Sequence, residues 1–395
     1  VADDRIRILA PRASAQRLGT DLTRRRLLGL GATGLAGLVV GPGLLAACGG
    51  DDDSASAGST SGGGGGGGGG NGSLNLFTWA EYHSQELLDA FGNVTVTVYS
   101  SNEEAIAKLQ AAGGTSGFDV LIPTGAYIPQ MAADGLVQTL DKDRLANFGN
   151  IDPIYLGQDW DPGNDYTVPK DWGSTGWIYD NSVLTTPLAT WQDFIDAAMG
   201  PASGQTSVLD TPGELTGIYF WANGINWTTT DPADLDACEA FIVDEFAGNL
   251  KAFDSYPGIN LTSGNYILSQ VWNGDARQGL LSVDDPDRYS WGLGAPATEL
   301  WMDNYAIVSD APNLDSAYAF IDFMLDPQNS VTDLQFHGYN TAIKDIESLL
   351  PADLPFKDLI FFTPEQVETM EAGAVNEAQD RLVEIYNKAK AEAGA

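Results

Sequence analysis

Leu74-Asn75-Leu76-Phe77-Thr78-Trp79-Ala80-Glu81-Tyr82 is the stretch that decides the fold. Leu74, Leu76 and the apolar run to Phe77 predict a short buried strand, and residues 84–91 predict a helix after it. Strand, turn and helix at this spacing open an α/β unit. Open α/β sheets place their ligands at the carboxyl ends of the strands. Trp79, Glu81 and Tyr82 sit on that turn. Two π faces beside a carboxylate suit an organic cation, because the rings attract its charge and the carboxylate accepts its N–H bonds. The same aromatics would serve equally as packing groups.

Outward from the turn the alternation continues. Residues 94–98 alternate strictly and predict a second strand. Asn102 predicts a helix cap, with Glu103 and Glu104 in the first turn and Ala105, Ile106 and Leu109 on the buried face. Residues 118–122 predict a third strand, followed by a helix at about 127–134. Residues 167–169 lead into 172–179, a segment suited to crossing between lobes. Thr190 and Asp193 predict a capping box. Residues 207–209 predict a strand that runs into Asp210-Thr211-Pro212-Gly213-Glu214. Residues 236–246 predict a helix in which Cys238 is a small buried apolar group. Trp272 and Trp301 each fall at the end of an expected strand. Residues 316–325 predict an amphipathic helix closed by Asp326-Pro327. Thr363-Pro364-Glu365-Gln366 predicts the start of one long acidic helix to about Ala393.

Composition narrows the function classes. The chain has 395 residues and a formal net charge of −35. Beyond residue 47 it carries 12 basic against 51 acidic residues. Such a surface repels nucleic acid and anionic lipid and draws cations toward it. Cys48 and Cys238 form no disulfide framework and have no metal-type spacing. His83 and His337 show no partner pattern for a triad or a zinc site, so histidine-based catalysis is not expected.

Residues 1–47 predict an export segment. Thr23-Arg24-Arg25-Arg26-Leu27-Leu28 resembles a twin-arginine signal, and an apolar, glycine-interrupted run follows it. Leu45-Ala46-Ala47-Cys48-Gly49 resembles a bacterial lipobox, which implies lipidation at Cys48; a plain transmembrane anchor is the alternative. Residues 48–73 include nine consecutive glycines, 62–70, and predict a flexible tether. The globular part is then expected outside the cytoplasm, held at the outer face of the cytoplasmic membrane.

Taken in order, residues 77–82, 101–109, 119–123, 165–173, 191–194, 271–274, 301–303, 319–327 and 338–341 resemble the bacterial spermidine/putrescine-binding proteins, the solute receptors of polyamine ABC transporters. The resemblance implies an α/β, two-lobed periplasmic-binding-protein fold with a ligand cleft at the hinge. The implied lobes are 74–172 with about 303–342, and 173–302 with about 343–395. It implies an aromatic box of Trp79, Tyr82, Trp272, Trp301 and Tyr339 around the methylene chain of a polyamine. Glu81, Glu214 and Asp303 would bind its ammonium groups, with Thr124 lining the cleft. The expected partners are a polyamine and ABC permease subunits. The expected state is a monomer, with no cofactor, metal, catalytic residue or nucleic acid.

Departures from the family pattern bear on the ligand. Ala80 replaces a threonine, Ala126 a cleft tyrosine, and Thr211 an aspartate, although Asp210 is adjacent. No counterpart of the family's C-terminal cleft glutamine is evident. These losses leave open another organic cation, or an amino-acid- or opine-like solute, on the same fold. Paired carboxylates could also serve an extracellular glycosidase, but among 54 acidic residues pairs arise by chance. Residues 159–165 form an acidic loop that lacks the full ligand spacing of a calcium site.

Overall fold

The leading strand of the α/β unit is Leu74–Trp79 (β1), and its apolar residues Leu74, Leu76 and Phe77 are fully buried. The computed structural model describes residues 72–260 and 264–394. The export segment, Cys48 and the glycine tether lie outside the described residues. Among those described, no helix is long and apolar enough to cross a membrane.

After β1 the chain enters Gln85–Phe91 (α1), which buries Leu87 and Leu88, and returns as Val94–Tyr99 (β2) parallel to β1. The next helix is Asn102–Ala112 (α2). Its cap is Ser101, whose side chain accepts the Glu104 N–H, so Asn102 is the first helical residue rather than the cap. Asn102 turns its amide to Thr124 instead, a contact worth more at a buried position. Val120–Leu121 (β3) pairs parallel with β1, and Ile128–Ala133 (α3) follows.

Thr167–Asp180 (β4) is a long strand buried along its whole length. Trp191–Met199 (α4) begins with the predicted capping box of Thr190 and Asp193. Thr206–Leu209 (β5) leads into Pro212–Asn223 (α5), and Pro232–Phe241 (α6) buries Cys238, whose thiol burial pushes its pKa up. Leu250–Asp254 (β6), Leu268–Trp272 (β7), Asn273–Ser282 (α7), Tyr289–Leu293 (β8) and Thr298–Ile307 (β9) complete the middle of the chain. Trp272 does end its strand, but Trp301 lies inside β9, which continues because it pairs with β4 on past that point. Leu314–Met324 (α8) and Pro327–His337 (α9) precede the short strand Asn340–Thr341 (β10).

The long C-terminal helix expected from Thr363 is interrupted. Its capping box forms, yet Pro364–Val367 is a single turn. Met370–Ala372 (β11) then pairs with β9, and only at Gln379–Ala393 (α10) does the helix resume. Tertiary strand pairing overrides local helix propensity here. Gly373 follows, where a Cβ would come within 2.9 Å of the Trp227 ring.

The strand order is β2-β1-β3-β9-β4-β7-β5-β6, with β8 and β10 on β4 and β11 on β9. β4 changes partners along its length. Its first part, to Ser174, pairs with β9, and from Thr175 onward it pairs with β7 and β8. One strand therefore belongs to both halves of the sheet. One half packs Phe77, Tyr99 and Phe118 beneath it; the other packs Trp177, Trp191, Trp221 and Trp227.

Candidate functional site

Side chains two apart on a strand share a face, and in β9 that puts Glu299, Trp301 and Asp303 together. Across the sheet Gly173 of β4 lies opposite Trp301, and Asp171 lies opposite Asp303. Gly173 makes the indole's position available: a Cβ there would sit 2.5 Å from Trp301 Cζ2 and 2.4 Å from Asn273 Oδ1. The change of partners in β4, at 174–175, falls in the middle of this face.

Asp303 is buried among polar neighbours. Thr124 donates its hydroxyl to Oδ1 at 2.7 Å, and the Tyr82 hydroxyl lies 2.9 Å from Oδ2. The same Tyr82 oxygen bonds Asp171. A phenol carries one proton and cannot donate to two carboxylates. With Asp171 taking the Tyr82 proton, Asp303 satisfies the contact as the protonated acid. Burial, then the nearby Asp171 charge, push its pKa up to about 7 in accord with this.

Asp171 has a cation of its own. Lys170 Nζ lies 2.5 Å from Asp171 Oδ2 and 3.3 Å from Asp333 Oδ2, and it stands 3.9 Å from the centre of the Tyr82 ring. His337 Nε2 is 3.3 Å from Asp171 and 3.4 Å from Asp333, and His83 Nδ1 is 3.8 Å from Asp333. The two histidines, unlinked in the sequence, thus meet in one buried network. Burial drives the His83 pKa down to about 3, which keeps the ring neutral. Burial opposes ionisation of Asp333, but Lys170 and His337 prevail and hold its carboxyl well below the usual range.

Tyr339 stands edge-on to Trp301, with ring centres 4.8 Å apart, and its hydroxyl donates to Asp275 at 2.5 Å. A Cβ on Gly274 would meet the Tyr339 ring at 2.4 Å, so glycine at the second residue of α7 admits the tyrosine. Burial raises the Asp275 pKa to about 6, and the charge of the exposed Glu81 contributes.

A second acidic group lies toward the start of α5. Glu214 Oε1 accepts the Thr175 hydroxyl at 2.6 Å and the Trp272 N–H at 2.7 Å, while Gln270 reaches Oε2 at 3.3 Å. The Glu299 carboxyl is its acidic neighbour. Burial pushes both pKa values up, Glu299 strongly so because Glu214 stands beside it.

Tyr82, Thr124, Trp301, Asp303 and Tyr339 are therefore brought together around Asp303, and Glu214 with Trp272 form the neighbouring group. Trp79 is joined less directly. It is half-buried against Tyr99 and spends its N–H on the Ile122 carbonyl at 3.0 Å. Glu81 adopts a left-handed backbone, φ 54°, and makes no bond to the other site residues among those described. Asp210 does not stand in for the acid missing at Thr211. Tyr386 and Lys390 of α10 and Ser255 occupy its carboxylate. The acidic loop is no calcium site either, since Asp161 accepts the N–H groups of Asp165, Tyr166 and Thr167 together with the Thr167 hydroxyl. Among the described residues no group of three His, Cys, Asp or Glu is placed to hold a metal.

The sequence reading missed Asp171, Asp275, Glu299 and Lys170. Glu299 was the one with a local signal, the two-residue spacing with Trp301 and Asp303.

Comparison with known proteins places the chain in a family. The family model described as bacterial extracellular solute-binding protein matches residues 84–356. The spermidine/putrescine-binding periplasmic protein of Escherichia coli strain K12 is 28% identical over 332 residues, 81% of this chain and 92% of that protein. The putrescine/cadaverine-binding protein of Pseudomonas aeruginosa is 33% identical over 270 residues, 65% of this chain and 75% of that protein. Among solved structures, the spermidine/putrescine ABC transporter substrate-binding protein of Streptococcus pneumoniae superposes with a TM-score of 0.67 at 24% identity, covering 81% of this chain and 99% of that one.

Proposed function

Because the chain belongs to the bacterial extracellular solute-binding proteins and has their two-lobed periplasmic-binding-protein fold, we propose that it captures polyamines for an ABC importer. Trp301 carries the proposal. Its ring stands between Glu299 and Asp303 on one strand face, with Tyr339 across it. Four residues of strand separate the two acids by roughly 13 Å, a spacing suited to a slender molecule charged at both ends.

The energetics are reasonable. Burying each ammonium group costs several kcal/mol unless it is paired. Charge-assisted hydrogen bonds return about 1.5–3 kcal/mol each, and a desolvated cation–π contact about 2. Two paired ends with two or three rings reach the roughly −8 kcal/mol of a micromolar complex after ordering losses. Trp79, Glu81 and Trp272 complete the proposed binding surface, and closure of the lobes about β4 at 174–175 would enclose the ligand. Relatives named for putrescine, cadaverine and spermidine support this substrate class. On the same reading the protein is a monomer that acts outside the cytoplasm, has no catalytic role, delivers its ligand to permease subunits, and is anchored by lipid at Cys48.

Isothermal titration with putrescine, cadaverine, spermidine, agmatine and an opine tests the reading. Binding of a polyamine, abolished by Trp301→Ala and by Asp303→Ala, is the expected result. No polyamine binding, or binding indifferent to both substitutions, rejects it.

A further inference from the structure

Glu299 has no role in the resemblance that assigned the other site residues, yet it is the group best placed to replace the acid lost at Thr211. Resting on the polyamine reading, we infer that Glu299 and Glu214 form a two-carboxylate seat for one primary ammonium group, and that the seat holds a shared proton until the ammonium displaces it.

The backbone fixes this pair. Ser174 donates its hydroxyl to the Glu299 carbonyl at 2.6 Å, and Thr298 donates to the Thr175 carbonyl at 2.6 Å. Thr175 in turn holds Glu214. Glu214 comes from the first turn of α5 and Glu299 from β9, so the two acids approach from different elements. Glu299 is half-buried, which leaves it an approach from outside.

Charge decides what the pair must do. Two adjacent ionised carboxylates repel, so an empty pair keeps one proton. The groups around it do nothing to relieve this. Asp303 on β9 and Tyr127 before α3 face Glu299, Glu103 of α2 bonds Tyr127, and the exposed Glu371 of β11 lies beside Glu299 in register. Lys170 on β4 is engaged by Asp171 and Asp333. No lysine or arginine pairs with Glu214 or Glu299 among the described residues, in contrast to the Asp171 side of the site. The Trp301 N–H, next to Glu299 on the same face, is buried without a partner among the described residues. An ammonium group brings donors only, so the two carboxylates, and not this N–H, would receive it.

Proton and charge balance in the exchange. The singly protonated pair releases one proton to solvent as the ammonium group arrives, and the ammonium's own protons donate to both carboxylates. Binding therefore tightens as pH rises through the range in which the pair is protonated.

Putrescine titrations at pH 6 and pH 8, each in two buffers of different ionisation enthalpy, count the protons released. Wild type is expected to release protons at pH 6 and to bind more tightly at pH 8. In Glu299→Gln the count falls by roughly one, and affinity at pH 8 falls at least tenfold, the loss of one charge-assisted contact. Thermal melting checks that the variant is folded. Wild-type binding without proton release overturns the inference whatever the variant does. So does a folded Glu299→Gln protein with unchanged affinity and proton count. If wild type binds no polyamine at all, the functional reading fails and this inference fails with it; the two earlier outcomes reject the seat alone.

Discussion

The two acidic groups of the site are built oppositely. Around Asp303 and Asp171 the fold has buried a lysine, Lys170, with Asp333 and two histidines behind it. Around Glu214 and Glu299 it has placed neutral donors, Thr175, Trp272 and Gln270, and no cation among the described residues. In the first group Lys170 anchors Asp171 and Asp333 whether or not a ligand is present, and Asp303 keeps a proton. The second stands uncompensated and depends on a proton or a guest. A site can thus be rigid at one end and responsive at the other while using the same residue type at both.

Removing the internal cation should have the largest effect. Lys170→Met leaves Asp171 and Asp333 buried without their partner, and breaking such a pair costs about 3–5 kcal/mol. Urea unfolding should show a loss of that size, and a variant as stable as its parent would end the contrast between the two groups. Asp303→Asn keeps the shape and removes the ligand's charged acceptor, so putrescine affinity should fall by about 2–3 kcal/mol in titration, some thirtyfold or more.

Acidity sharpens the comparison further. Asp303, raised to about 7, favours the folded state at low pH, and that contribution is lost as pH climbs through 7. His83, lowered to about 3, costs stability in the other direction, as pH falls below 6.5 toward 3. Ligand-free protein should therefore lose on the order of 1–2 kcal/mol between pH 6 and pH 8. Urea unfolding at the two pH values measures this, and saturating polyamine should abolish the alkaline loss. An equal loss in Asp303→Asn would show that the drop arises elsewhere. The smallest effect is expected from Trp272→Phe, which deletes the indole bond to Glu214 while Thr175 remains. A fall in affinity of about 1 kcal/mol, roughly fivefold, should follow.

Features that depend on a few neighbouring residues were legible in the chain. The first strand and its turn, the capping boxes at Thr190 and Thr363, and Cys238 as a buried apolar group all appear where local chemistry puts them. Errors fell where distant strands intervene. Trp301 reads locally as a strand end because nothing near it in sequence shows that β4 continues the ladder. The helix from Thr363 broke because β9 recruits residues 370–372. Asp210, next to Thr211 in the chain, is taken up by Tyr386 and Lys390 of α10.

The sequence by itself determined which chemistry was available: an acidic, cysteine-poor chain with tryptophans, tyrosines and carboxylates at spacings that fold into α/β units. Tertiary structure alone decided the charge state of those carboxylates. Whether an acid is neutral, paired or poised depends on desolvation and on groups such as Tyr82 and Asp303, 221 residues apart, which meet only when β1 and β9 join one sheet. Electrostatic energy follows distance and dielectric in space, and neither is written along the chain.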